Sequence, residues 1–136
     1  MAVIHKSVSV ETRSHNELVD VTDQVRRLLA ESGVRTGQCT VFTPHATAGI
    51  TINENADPNI ATDFLNALRK LIIEHNQWLH DEIDNNAAAH IKSSLVGPSE
   101  TVPIIDGKLA LGRWQNIFLC EFDGPRTRRL IVSIVD

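Results

Sequence analysis

The chain has 136 residues, 42% of them hydrophobic and 22% charged, with a formal net charge of −4 and a pI near 5.8. That is the size of one domain, residues 1–136, which can bury about two-thirds of its unfolded surface without a disulfide or a structural metal. The acidic balance excludes broad nucleic-acid backbone binding as the main task, and no apolar run reaches the length of a membrane span.

Met1-Ala2-Val3-Ile4-His5-Lys6 lacks the apolar core of a signal peptide, and Cys39 and Cys120 stand apart in strand-like apolar contexts. Free buried thiols in the cytoplasm are the expectation. In chain order, Ala2–Val10 alternates apolar and polar residues as a half-buried strand does, and Glu17–Val21 predicts a second strand. Thr22 is placed to cap a helix over Asp23–Glu31, with Val25, Leu28 and Leu29 as its apolar stripe and Gly33 as its left-handed exit. Gln38–Thr43 and Gly49–Asn53 predict two more strands.

Asp57-Pro58 is a strong helix start, Asp as N-cap and Pro in the first turn, and apolar residues recur at helical spacing to about Glu74. His75–Asn86 is polar and irregular, and Ala87–Val96 predicts a short helix ending at Gly97-Pro98. Thr101–Ile105 and Lys108–Leu111 flank the hairpin signal Asp106-Gly107, while Gln115–Phe122 and Arg128–Val135 flank the turn Asp123-Gly124-Pro125. About eight short strands with two or three segregated helices predict an α+β domain with a mostly antiparallel sheet.

Three histidines stand in non-periodic, polar surroundings: His45 after Thr43-Pro44, His80 in the polar loop and His90 on the short helix. Neutral imidazole is the commonest metal ligand, and three of them with an open position make a catalytic type of site; locally hydrogen-bonded histidines are the plainer alternative. Asn53-Glu54-Asn55-Ala56-Asp57 brings carboxylate and amide groups to a helix N-terminus, where a metal-linked phosphate is well received, although Asp57 already has a capping job. Asp81, Glu82, Asp84, Asn85 and Asn86 surround His80 with further oxygen donors. Arg113-Trp114-Gln115 follows a hairpin, and Arg126, Arg128 and Arg129 follow a turn. Guanidinium groups there either recognise phosphate or form the solvent face of an edge strand, and Trp114 either stacks on a ring or packs in the core. No Ser-hydrolase elbow, C-x-x-C pair, Walker loop or dinucleotide fingerprint is present.

Thr43-Pro44-His45-Ala46-Thr47-Ala48-Gly49-Ile50-Thr51-Ile52-Asn53-Glu54-Asn55-Ala56-Asp57-Pro58 resembles the hallmark segment of the YjbQ family, the secondary thiamine-phosphate synthases. Asp84–Lys92, Leu95–Ser99 and Leu111–Arg126 agree in the expected order, so the likeness covers nearly the whole chain. The resemblance implies a compact α+β domain assembled as a homotrimer, with the clustered histidines near subunit boundaries. It also implies support for thiamine-phosphate formation, as a side activity of an enzyme with another main substrate. Arg113 departs from the small threonine usual in the family before Trp-Gln, adding a cation and bulk.

On that footing His45, His80 and His90 are expected to hold a divalent metal ion, zinc or magnesium or manganese. Glu54, Asp57 and Asn86 would complete or orient its shell as catalytic groups. Asn53, Arg113, Trp114, Gln115 and Arg126 would bind the small phosphorylated substrate. The expected reaction couples an aminopyrimidine methyl pyrophosphate to a thiazole phosphate, expelling pyrophosphate, with metal and arginines stabilising the leaving group. Metal-dependent hydrolysis of a small phosphorylated or amide substrate is the alternative enzyme, and a non-catalytic metal or phosphometabolite binder is the third reading.

Overall fold

A computed structural model describes residues 2–136. Alternating side chains produce β1 (Val3–Glu11) and β2 (Glu17–Asp20), followed by α1 (Thr22–Ser32), β3 (Gly37–Phe42) and β4 (Ala48–Asn53). Then come α2 (Pro58–Leu71), a 3₁₀ turn over Leu79–Glu82, α3 (Ala87–Val96), β5 (Ser99–Ile105), β6 (Lys108–Leu109), β7 (Asn116–Glu121) and β8 (Thr127–Val135). Every strand pair is antiparallel: five strands run in the order β1-β8-β3-β5-β6, and three in the order β2-β7-β4. Among the described residues no helix is long and apolar enough to cross a membrane.

The layers follow from which faces are apolar. Cys39, Val41, Val102, Leu130, Val132 and Ile134 of the larger sheet meet Ile50, Ile117 and Leu119 of the smaller one. Val21, Val25 and Leu29 of the α1 segment close the side of this core. The reverse face of the smaller sheet carries Cys120, with Phe122 just beyond it, and packs against Phe64, Leu65 and Leu68 of α2 and Ala89 and Val96 of α3. The fold is thus sheet, sheet, helices. β7 lies in the middle layer, and its residues from Ile117 onward are all buried. Both cysteines are free and buried.

Local chemistry fixes the ends of these elements. Asp57 accepts a hydrogen bond from Asn59 N–H at 2.9 Å, and Pro58 starts α2. Asp106 and Gly107, at φ 54° and 77°, make the tight β5–β6 turn. Most strand ends shift by one or two residues from the sequence expectation, β6 for example ending at Leu109 rather than Leu111, and two helix ends differ for specific reasons. Thr22 opens α1 without capping it: its hydroxyl donates to Asp20 Oδ1 and accepts Ile117 N–H, tying α1 to β7. Helix α2 stops at Leu71, three residues short of Glu74, because Ile72 turns to extended backbone.

Candidate functional site

The β7–β8 turn, the α2–α3 connection and the β1–β2 loop converge at one end of the smaller sheet. The close approach depends on Gly124, whose N–H donates to the His15 carbonyl at 3.1 Å and where a Cβ would collide with the Ser14 carbonyl. There a cleft of about 310 Å³ is lined by His15, Glu74, Asp81, Asp84, Asn86 and Asp123, among others. Asp123 organises its floor: Asn86 Nδ2 donates to Asp123 Oδ2 at 2.9 Å, and Arg126 donates to the Asp123 carbonyl at 2.8 Å and to Oδ2 at 3.1 Å.

Beside this cleft the 3₁₀ turn and α3 bring His80 and His90 into edge-on contact, ring centroids 4.7 Å apart at 83°. His80 Nε2, Asp81 Oδ2 and Asn86 Oδ1 are buried without a hydrogen-bond partner. The nearest acid–imidazole neighbours are longer contacts: Asp84 Oδ2 is 3.6 Å from His80 Nε2, and His75 Nδ1 is 3.9 Å from Asp81 Oδ2. Buried polar atoms left unpaired are costly, and here they lie in one short stretch of chain.

His45 has different neighbours. Its Nε2 accepts the Arg129 backbone N–H at 3.0 Å, so the neutral ring carries its proton on Nδ1 and keeps no lone pair for a metal. Burial, then the charges of Arg128 and Arg129, hold its pKa below 6.5 against the pull of Glu121. Among the described residues no three His, Cys, Asp or Glu side chains converge as a metal centre. Thus within one protomer the three histidines expected to share a metal divide into a pair, His80 and His90, and a separate His45 bound to the backbone.

Next to His45 lies a feature that the sequence reading missed. Glu121 and Arg128 are 0% and 2% exposed and form a two-point ion pair, Arg128 Nε to Glu121 Oε1 at 2.9 Å and Nη2 to Oε2. Thr12 Oγ1 donates to the carboxylate at 2.7 Å and Asp123 N–H at 2.9 Å, while Arg128 reaches the Thr47 carbonyl and hydroxyl. Burial pushes the Glu121 carboxyl up; the bonds from Arg128, Asp123 and Thr12, with the Arg128 charge, overrule it and leave the pKa below 4.5. The signal was in the alternation: Arg128 is in phase with buried Leu130, Val132 and Ile134, so it points inward. Arg129, one residue on, lies on the opposite, exposed face.

The other expected site residues occupy the opposite end of β7. Asn53 pairs with Asn116, so Asn53, Glu54 and Asp57 lie with Arg113, Trp114 and Gln115. Five residue steps along β7 separate Asn116 from Glu121, about 17 Å at the usual rise per residue. Trp114 is 56% exposed, stacked under Arg113 at 5.0 Å, and Gln115 caps the Gly112 N–H. The sequence placed both groups around one ion; the strand register holds them apart within a protomer. Asn86 and Arg126 are the expected residues that join the His80–His90 end.

Similarity to known proteins covers the whole of this arrangement. Residues 6–136 match the family model described as "UPF0047 protein YjbQ-like". The UPF0047 protein MJ1081 of Methanocaldococcus jannaschii is 48% identical over 93% of this chain and 90% of its own. The UPF0047 protein YugU of Bacillus subtilis is 41% identical over 96% and 98%. A YbjQ-like protein of Sulfolobus solfataricus has a crystal structure that superposes with a TM-score of 0.95 at 39% identity, covering 98% of this chain and 96% of that one. The chain belongs to the UPF0047 family of YjbQ-like proteins.

Proposed function

We propose that this protein is a metal-assisted transferase for small phosphorylated substrates, of the secondary thiamine-phosphate synthase type, working as a homotrimer. The observation that carries the reading is the His80–His90 pair beside the unpaired Asp81 Oδ2 and Asn86 Oδ1 in a carboxylate-rich cleft. Such a cleft repels a phosphate until a cation enters, and imidazole with oxygen donors suits a divalent ion. His80 and His90 would hold that ion, with remaining positions left to substrate, water or a second protomer. Bound there, it would neutralise the departing pyrophosphate.

The other groups have parts set by their bonds. Asp123 holds Asn86 and fixes Arg126 at the rim, where the half-exposed guanidinium has further donors for a phosphate. His45 presents Nδ1–H as a hydrogen-bond donor. Trimer formation is supported by Leu71, Ile73, Leu79 and Ile83, which are 77%, 54%, 86% and 78% exposed around the α2–α3 connection. Incubating the protein with both precursors and magnesium, manganese or zinc should release thiamine phosphate and pyrophosphate. His90→Ala should lose bound metal and turnover together; full turnover and metal content in that variant would refute the assignment. Sedimentation should give three times the 15.1 kDa chain mass.

A further inference from the structure

A second cavity, of about 380 Å³, adjoins the first and shares His15 and Glu74 with it. These two side chains are joined at 2.8 Å, so their bond forms a partition between the chambers. Beyond it the cavity is lined by Asn16, Thr62, Leu65, Asn66 and Arg69. Its polar groups are sorted by sign. Lys92, 1% exposed on α3, donates to Asn16 Oδ1 at 3.1 Å, and Arg69 donates to Asn66 Oδ1 at 2.7 Å. Both amide oxygens are thereby occupied by cations, which leaves both NH₂ groups to act as donors. Among the described residues no carboxylate lies within ion-pair distance of Arg69 or Lys92. Glu74, the one carboxylate in the lining, is engaged by His15.

From this sorting we propose that the second cavity is an anion subsite for a phosphate monoester, with Arg69, Asn16 and Asn66 as its donors and Lys92 as the positioning residue that turns the Asn16 amide. The first chamber collects acceptors and the second collects donors, so a phosphorylated ligand can lie across the partition with its phosphate beside Arg69. Burial of the Lys92 ammonium lowers its pKa; Glu74, beyond ion-pair distance, opposes the shift and Arg69 adds to it, a standing cost that a bound anion nearby would relieve. Only the subsite's place in catalysis rests on the transferase reading; anion binding does not.

The test is calorimetric titration of the intact, chelator-treated protein with inorganic phosphate and with methyl phosphate. Wild type should bind both, and Arg69→Ala should weaken binding about tenfold or more. Asn16→Asp should abolish binding while raising the thermal midpoint, because the new carboxylate pairs with Lys92. Lys92→Met should weaken binding without lowering the midpoint, a split that a merely structural lysine would not give. His90→Ala should leave metal-free phosphate affinity unaltered. Unchanged affinity in Arg69→Ala and Asn16→Asp, no binding by wild type at millimolar phosphate, or loss of binding only in His90→Ala would each overturn the subsite. Failure to form thiamine phosphate would overturn the transferase reading alone.

Discussion

The two ends of β7 are both polar, and they differ in how completely they are satisfied. At the Asn116 end, Asp20 accepts four hydrogen bonds: Thr22 N–H and hydroxyl on Oδ1, and the Asn55 and Asn116 amides on Oδ2. Near the Glu121 end, the ion pair is satisfied as well, but the adjoining helical segment holds unpaired atoms on His80, Asp81 and Asn86. A saturated network fixes a fold. An unsaturated one, kept buried by its neighbours, is available for a ligand.

The largest test of this contrast is Glu121→Gln, which strands the buried Arg128 charge and should cost about 3–5 kcal/mol in urea unfolding. Because the Glu121 pKa is lowered from 4.5 by folding, its contribution is present above that value and fades as pH falls through the folded pKa. The mutational cost should therefore shrink in acid; a pH-independent cost would place the effect elsewhere. At the other end, Asp57→Ala should lose about 1 kcal/mol of capping energy and leave metal affinity unchanged. A drop in metal affinity there would mean that the two ends act together. For Lys92→Met the sign is reversed: folding lowers the lysine pKa from 10.5, so the wild type gains stability as pH rises toward that value. The variant should be at least as stable as wild type near neutrality, its advantage declining in alkali. Arg113→Thr, exposed and stacked on Trp114, should change stability by less than about 0.5 kcal/mol and leave phosphate affinity unaltered.

Much of the architecture was legible because local signals and tertiary context agree: the β1 alternation, the Asp57-Pro58 start, the Asp106-Gly107 turn and the left-handed Gly33 all sit where the pattern puts them. The pairing of His80 with His90 needed only a turn and a short helix between them. What failed was grouping across a strand. Glu54 and Asp57 are close to His45 in sequence, yet β4 intervenes and carries them to the far end of the sheet. Glu121 was hidden within an apolar run, and Lys92 within the alanine-rich α3, where each looked like one charge among many. Their partners, Arg128 and Asn16, lie 7 and 76 residues away, and only the folded layers join them.

Because β7 is sealed between the sheet core and the helices, it cannot slide by one residue without turning both sets of side chains inside out. It therefore serves as a fixed spacer. Exposed side chains at the Trp114 end, Arg113 among them, can be exchanged without displacing the His80–His90 end.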